Sequence, residues 1–259
     1  MTTTGAKPQG ATDEASAALA VREMFDAIAP RYDLLNHVLS MNVDRLWWWR
    51  AARQFRVVLA NPDAAVLDIC CGTGDMTMAL LKRRPRGARP TLAADFAREM
   101  LSRGARKFGG PGVGARKAGE PYAVPIEADA LHLPLRTGSL DLIVTAFGFR
   151  NLANYEAGLR EFDRVLKPGG QLGILEFSEP GGLVGKAYAV YFRRVLPAIG
   201  RAICSKAGAY SYLPVSVGNF PAPEEMLTLM SAAGYEQCSW QPYTFGIAGL
   251  YTARRGAVA

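Results

Sequence analysis

With 259 residues and 49% hydrophobic composition, the chain carries enough apolar material for one α/β domain with decorations, which excludes wholesale disorder. A formal charge of +7 and a pI near 9.4 point to anionic partners, either nucleic acid or a membrane surface. Four cysteines, Cys70, Cys71, Cys204 and Cys238, include no C-x-x-C, and only His37 and His132 could join them at a metal, so a reduced, metal-free, cytoplasmic protein is expected.

In chain order, residues 1–14 are small and polar without an apolar period, and read as a disordered tail that lacks the apolar stretch of an export signal. Residues 15–60 read as a helical cap: Val21, Met24, Phe25 and Ile28 fall at helical spacing, and Tyr32, Leu35, Val38 and Leu39 repeat the pattern after Pro30. A helix follows over Asp44 to Leu59, with Trp47, Trp48 and Trp49 consecutive among Arg45, Arg50, Arg53 and Arg56. Neighbours on a helix stand about 100° apart, so at least one of these tryptophans must reach a surface or a pocket. The bland reading packs them under the cap beside solvated arginines; the sharper one places rings and arginines on an anionic membrane.

Next comes V-L-D-I-C-C-G-T-G-D, Val66 to Asp75. Its apolar run reads as a buried parallel strand closed by Asp68, after which Gly72 and Gly74 turn the backbone into a helix. Such a loop presents backbone N–H groups to a ligand at a helix N-terminus. It is not a G-x-G-x-x-G dinucleotide loop, because Thr77 stands at the third glycine position, and it lacks the Walker lysine. A second acid, Asp95, ends the next predicted strand, Thr91 to Asp95, and suits the two hydroxyls of a ribose. A nucleoside is therefore favoured over a phosphate.

Helices are expected over Met76 to Arg84 and Ala97 to Phe108, followed by a flexible glycine-rich loop from Gly109 to Pro121. Tyr122 to Glu127 and Leu140 to Ala146 read as strands, Tyr155 to Leu166 as a helix, Lys167 to Gly170 as a turn and Gln171 to Phe177 as a fifth strand. Glu224 to Ala233 reads as a helix, and the uncharged stretch Gln237 to Ala253 as two final strands rather than the roughly 18–20 apolar residues of a membrane span. The alternation predicts a Rossmann-like, doubly wound, mostly parallel seven-stranded sheet with its last strand antiparallel, preceded by the cap. Asp68, Asp95, Asp129 and Ala146 then lie at strand ends around one crevice.

The succession D-I-C-C-G-T-G-D, A-A-D-F-A-R-E-M-L, A-D-A-L-H-L-P-L and L-K-P-G-G resembles a class I S-adenosylmethionine-dependent methyltransferase. Narrower blocks, F-D-A-I-A-P-R-Y-D-L-L-N, D-R-L-W, F-G-F-R-N-L, R-V-L-K-P-G-G-Q-L-G-I-L-E-F-S, V-L-P-A-I-G and Y-S-Y-L-P-V-S-V, resemble the demethylmenaquinone and ubiquinone C-methyltransferases over nearly the whole chain. The resemblance implies that Thr73 in the loop, Asp95 on the ribose, and Asp129 with Ala130 beside the adenine bind the methyl donor. It also implies that Tyr32 closes over the donor. Cys70 and Cys71 depart from the small residues usual before G-T-G, and Ala146 stands where a serine is common; losing that hydroxyl removes a hydrogen bond worth on the order of 1 kcal/mol.

Methylating a ring carbon of a reduced quinone requires that the neighbouring hydroxyl lose its proton, so an anion must be stabilised and a base supplied. Arg150 is the candidate stabiliser and Asn151 the residue orienting it; the alternatives are that Arg150 pairs with a carboxylate such as Asp33 and Asn151 caps the next helix. His132 reads as structural. The segment Leu183 to Tyr212, within an insertion at 183–220, is placed to cover the acceptor and its polyprenyl tail. The partners expected are a polyprenylated quinol, an anionic membrane surface at its inner face, and a second copy in a homodimer. A nucleic acid is not expected: Ala146-Phe147-Gly148-Phe149 stands where base amino-methyltransferases carry N-P-P-Y, and no RNA-binding module is appended. Demethylmenaquinol is the expected acceptor, with a benzoquinol precursor of ubiquinone as the alternative and, behind it, an RNA methyltransferase.

Overall fold

The computed structural model describes residues 5, 6, 8, 10–29, 42–109, 117–180 and 208–256. Helix α1 (Glu14–Ile28) leads to α2 (Asp44–Gln54) and the short α3 (Arg56–Ala60). Then follow β1 (Val66–Ile69), α4 (Asp75–Leu81), β2 (Thr91–Asp95), α5 (Arg98–Phe108) and β3 (Ala123–Glu127). The second half runs β4 (Leu140–Ala146), α6 (Tyr155–Val165), β5 (Leu166–Phe177), α7 (Gly208–Gly218), α8 (Pro223–Ala232), β6 (Tyr235–Tyr243) and β7 (Ala248–Arg255).

The strands form one seven-stranded sheet in the order β3-β2-β1-β4-β5-β7-β6. Neighbours pair in parallel except at β7, which runs antiparallel to both β5 and β6, as the sequence pattern predicts. All four residues of β1 are buried, because helices cover both faces of the sheet. Alternate residues serve opposite faces. Leu67 and Ile69 join Phe149, Tyr155, Phe162 and Met226 on one side, while Val66 joins Trp47, Phe55, Leu59 and Leu80 on the other. Order reversal between β1 and its neighbours β2 and β4 opens a crevice at the carboxyl ends, and the functional residues gather there.

Several local expectations change. Residues 5 and 6 are docked: the Ala6 N–H donates to the Leu152 carbonyl at 2.8 Å and its side chain is buried. A Cβ on Gly5 would come within 2.0 Å of the Ala153 carbonyl oxygen, so the tail expectation is corrected at this contact. Helix α1 begins where its cap dictates, with Asp13 accepting from the Ser16 N–H at 2.7 Å and Ser16 Oγ accepting from the Asp13 N–H at 3.0 Å. The single helix expected over Asp44 to Leu59 breaks at Phe55, whose ring packs onto β5 so closely that a Cβ at Gly173 would lie 2.4 Å from it. Residues 167–170 form a bulge inside β5, between the pairs Leu140–Leu166 and Leu142–Gln171, rather than a turn before it. The expected segment Leu183 to Tyr212 lies almost wholly outside the described residues. Among the described residues no helix is long and apolar enough to cross a membrane.

Candidate active site

The loop after β1 carries the tightest backbone of the site. Gly72 and Gly74 adopt φ of 53° and 85°, and Cys70 joins them at 55°. Gly74 is required twice over, since a Cβ there would also sit 2.6 Å from the Phe108 ring of α5. Asp95, at the end of β2, anchors the loop: its Oδ2 accepts from the Gly72 N–H at 2.7 Å and its Oδ1 from the Ala97 N–H at 2.8 Å. Burial pushes the Asp95 carboxyl up to about 6, against the lowering effect of those two N–H donors.

Asp68 lies within β1 rather than closing it, since the strand continues to Ile69. It is fully buried; Thr77 Oγ1 donates to its Oδ2 at 2.5 Å, while its Oδ1 has no protein partner among the described residues. Desolvation pushes this carboxyl up to about 7. Burial also raises the Cys70 and Cys71 thiols, with Asp95 adding to the effect, so both stay protonated and neither is an activated nucleophile.

On the far side, Asp129 Oδ1 accepts from the Leu131 N–H at 2.9 Å, its Oδ2 faces His132 Nδ1 at 3.3 Å, and Ala130 is buried beside it. Ala146 ends β4, and the chain then passes through Phe147 at φ 58° to Gly148, where a Cβ would lie 2.3 Å from Cys70 Cβ. Loop and wall are thus in direct contact. Together they bound a cleft that opens to solvent at its mouth, with about 960 Å³ of atom-free space when the solvent-filled mouth is included. Asp68, Gly72, Thr73, Asp95, Asp129, Ala130 and Ala146 all line it.

The expected catalytic residues divide. Asn151 lines the cleft, accepts from the Tyr212 hydroxyl at 3.1 Å and sends its Nδ2 toward the Phe147 carbonyl at 3.4 Å. It does not cap α6; Asn154 does, accepting from the Ala157 N–H at 2.9 Å. Arg150 stands behind the wall. Its Nη1 donates to Glu176 Oε1 at 2.8 Å and to the Phe147 carbonyl, its backbone N–H reaches Glu176 Oε2 at 3.2 Å, and both side chains are buried. Carboxylate pairing of Arg150 is therefore present in the structure, with Glu176 rather than Asp33 as the partner. Tyr32 and Asp33 lie outside the described residues.

Sequence reasoning missed Glu176, although it stands in the quoted L-E-F-S, because a carboxylate next to a strand end carries no mark of its partner 26 positions away. It also missed Ala18 and Phe25 of α1, which line the cleft with Trp48. The tryptophan run sorts as helical geometry requires: Trp47 and Trp48 are buried and Trp49 is 48% exposed.

Residues 11–255 match the model of the ubiE/COQ5 methyltransferase family. The chain belongs to that family. This methyltransferase is 43% identical to the demethylmenaquinone methyltransferase of Deinococcus radiodurans over 97% of this chain and 98% of that protein. It is 45% identical to the protein of the same name from Thermus thermophilus, covering 90% and 100% of the two chains. The ubiquinone/menaquinone biosynthesis C-methyltransferase of Geobacter sulfurreducens is 40% identical, over 91% and 88%. Solved structures share the fold at low identity. The [4+2]-cyclase SpnF superposes with a TM-score of 0.62 at 16% identity, covering 98% of this chain and 100% of that one. A methyltransferase of Haloferax volcanii in complex with its Trm112 activator gives 0.62 at 15%, over 92% and 99%.

S-adenosylmethionine is the methyl donor of this methyltransferase, and the cleft fits it. Asp68, with one buried oxygen unpartnered among the described residues, lines the space, Asp95 keeps acceptor capacity beyond its two N–H bonds, and Gly72 leaves the loop backbone open to a close ligand. Among the described residues no group of His, Cys, Asp and Glu is arranged to hold a metal ion.

Proposed function

We propose that the protein transfers a methyl group to the ring of demethylmenaquinol, giving menaquinol, and so acts in menaquinone biosynthesis. The observation that carries the reading is the full-length similarity to two relatives named for that reaction, at 43% and 45% identity. The Geobacter sulfurreducens relative, whose name covers both ubiquinone and menaquinone, supports a benzoquinol acceptor as the second reading.

Bound in the cleft, the donor supplies an electrophilic methyl on a sulfonium. The residues around it divide the work of holding and orienting. Asp95 accepts from the ribose hydroxyls with the lone pairs that Gly72 and Ala97 leave, and Asp129 with Ala130 flanks the adenine. Gly72, Thr73 and Gly74 present the loop backbone, and the free Oδ1 of Asp68 places negative charge beside the cationic end. Ala146 leaves space at the end of β4 where a hydroxyl would otherwise contribute a bond.

For the acceptor, Asn151 and Tyr212 form a polar pair on the cleft side of the wall. Burial raises the Tyr212 phenol, so it remains a proton donor able to hold a quinol oxygen through Asn151. Arg150 and Glu176 fix the Phe147 carbonyl, and with it the backbone turn that sets the distance between wall and donor loop. Apolar walls from Phe25, Trp48 and Phe147 exclude water, which strengthens every charge interaction in the site. A polyprenylated acceptor resides in a bilayer, so the enzyme works at the inner membrane surface.

The test offers demethylmenaquinol and a demethylated ubiquinol precursor separately, under reducing conditions, with methyl-labelled donor. Label in the naphthoquinol is the expected result, and label in the benzoquinol alone would transfer the assignment to ubiquinone synthesis. Label in neither, with donor bound, would refute a quinol acceptor.

A further inference from the structure

Helix α2 sorts its residues by face. Trp47, Trp48, Ala51 and Ala52 are buried, whereas Leu46 is 50% exposed and Trp49 48%. At about 100° per residue, Leu46, Trp49, Arg50 and Arg53 fall on one outward arc. From residue 45 to residue 62 every charged side chain is basic: Arg45, Arg50, Arg53 and Arg56. Two of these guanidinium groups lie on aromatic faces, Arg50 4.4 Å from the Tyr243 ring centre and Arg53 5.3 Å from that of Trp49, which Arg83 also approaches at 5.6 Å.

Beside this arc stands the tip of the β6–β7 hairpin. Thr244 and Phe245 adopt φ of 45° and 60°, a region that a β-branched residue rarely enters. Trp47 Nε1 donates to Thr244 Oγ1 at 2.7 Å and ties the tip to α2. The consequence is that Phe245 projects into solvent, 81% exposed, while Tyr243 and Gly246 on either side are buried. Backbone strain of this kind clusters at functional segments, and here it both seats Thr244 on Trp47 and turns Phe245 outward. The tip also adjoins the chain leaving β5, where Ser178 Oγ donates to the Gly246 carbonyl at 2.6 Å. Behind it, Trp47, Phe147 and Phe177 form a cluster of tilted and edge-on rings, with ring centres 5.8 Å apart for Trp47–Phe147 and 4.4 Å for Phe147–Phe177. Phe147 lines the cleft.

We propose that the hairpin tip and the outward face of α2 form the surface that docks this protein on an anionic bilayer. Phe245, Leu46 and Trp49 enter the headgroup layer, the arginines around them meet lipid phosphates, and the Trp47–Phe177–Phe147 cluster leads an apolar substrate from bilayer to cleft. The inference deepens the reading of the acceptor as a polyprenylated quinol and rests on it. A second copy fits this surface poorly, because a two-fold contact would set arginine against arginine. RNA fits poorly as well, because the projecting ring sits on a convex tip rather than in a groove, and the other exposed aromatic is already stacked by arginine.

The test is sedimentation of the full chain with vesicles of phosphatidylcholine containing phosphatidylglycerol, and with phosphatidylcholine alone. Binding is expected only to the anionic vesicles, weakened at least about tenfold by Phe245→Ser and about fivefold by Arg53→Gln. Melting temperature and turnover of a tail-less demethylmenaquinol analogue in solution should not change in either variant. Equal vesicle binding by parent and both variants would overturn the proposal, as would no vesicle binding by an enzyme active on the tail-less quinol. A dimer that Phe245→Ser dissolves, without vesicle binding, would assign the surface to a second copy instead. Vesicle binding with the expected losses, in a protein inactive on the tail-less quinol, would uphold the docking surface and count against the quinol acceptor alone.

Discussion

Replacing Asp68 by asparagine should flatten the dependence of stability on pH in the absence of donor. Asp68 is fully buried, with one oxygen bonded by Thr77 and the other without a protein partner among the described residues, and desolvation raises its carboxyl from 3.8 to about 7. A carboxyl whose folded pKa lies above its unfolded value binds its proton more tightly when folded. The folded state is therefore favoured below the unfolded value and loses that advantage as pH rises from about 4 to about 7. At about 1.4 kcal/mol per pKa unit the loss has an upper bound of about 4 kcal/mol, or roughly 8 °C of melting temperature for a chain of this length. The cationic donor reverses the penalty by favouring the ionised form, so its stabilising effect should grow as pH rises through about 7. Scanning calorimetry from pH 5 to pH 8, with and without S-adenosylmethionine, reads both effects. Asp68→Asn should show a shallower slope without donor and a donor-induced shift that grows less with pH, the remainder coming from Asp95, whose carboxyl is raised to about 6. A parent-like slope in the variant, or a donor shift independent of pH in the parent, would refute the reasoning.

Two further substitutions probe the walls of the cleft and its foundation. Gly148→Ala forces a Cβ to within 2.3 Å of Cys70 Cβ, an atom fixed to the donor loop, so the loop must yield. Such overpacking costs about 1–3 kcal/mol, and titration calorimetry should show donor affinity reduced by about tenfold or more, whereas unchanged affinity would place the donor clear of this contact. Arg84→Met should lower urea stability by about 3 kcal/mol, because the guanidinium donates to the carbonyls of Leu59, Asn61, Pro62, Ala64 and Arg89 under the entry to β1. Arg84→Lys should recover only part of the loss, since an ammonium cannot reproduce that planar set of donors; full recovery would mean that charge alone matters.

What the sequence made legible follows the range of the interactions involved. The sheet could be read because strand burial and helix periodicity are local signals, and the donor loop because its glycines and carboxylates recur at fixed distances from strand ends. Asp68 and Asp95 needed only those distances to be found, yet their raised pKa values arise from surroundings that no window of sequence contains. Features that depend on distant neighbours stayed hidden. The helix break at Phe55 exists because β5 offers Gly173 as a seat for its ring, and the docking of Ala6 exists because Leu152 presents a carbonyl there.

Arg150 shows the same limit at the point where it matters most for chemistry. An arginine at a strand end facing a cleft suggests a charge for an anionic intermediate, and composition alone cannot say whether a carboxylate has claimed it. Glu176 claims it on the adjacent strand, with both groups out of water. A guanidinium so paired has little net field to offer an acceptor, but breaking the pair would leave a buried charge costing about 3–5 kcal/mol, which makes the pair a rigid fixture. What it fixes is the Phe147 carbonyl, at the turn where the wall meets the donor loop and where the aromatic cluster begins. One buried ion pair therefore holds the wall of the cleft against the donor loop, and the geometry supports a role in placement rather than one through charge on the acceptor.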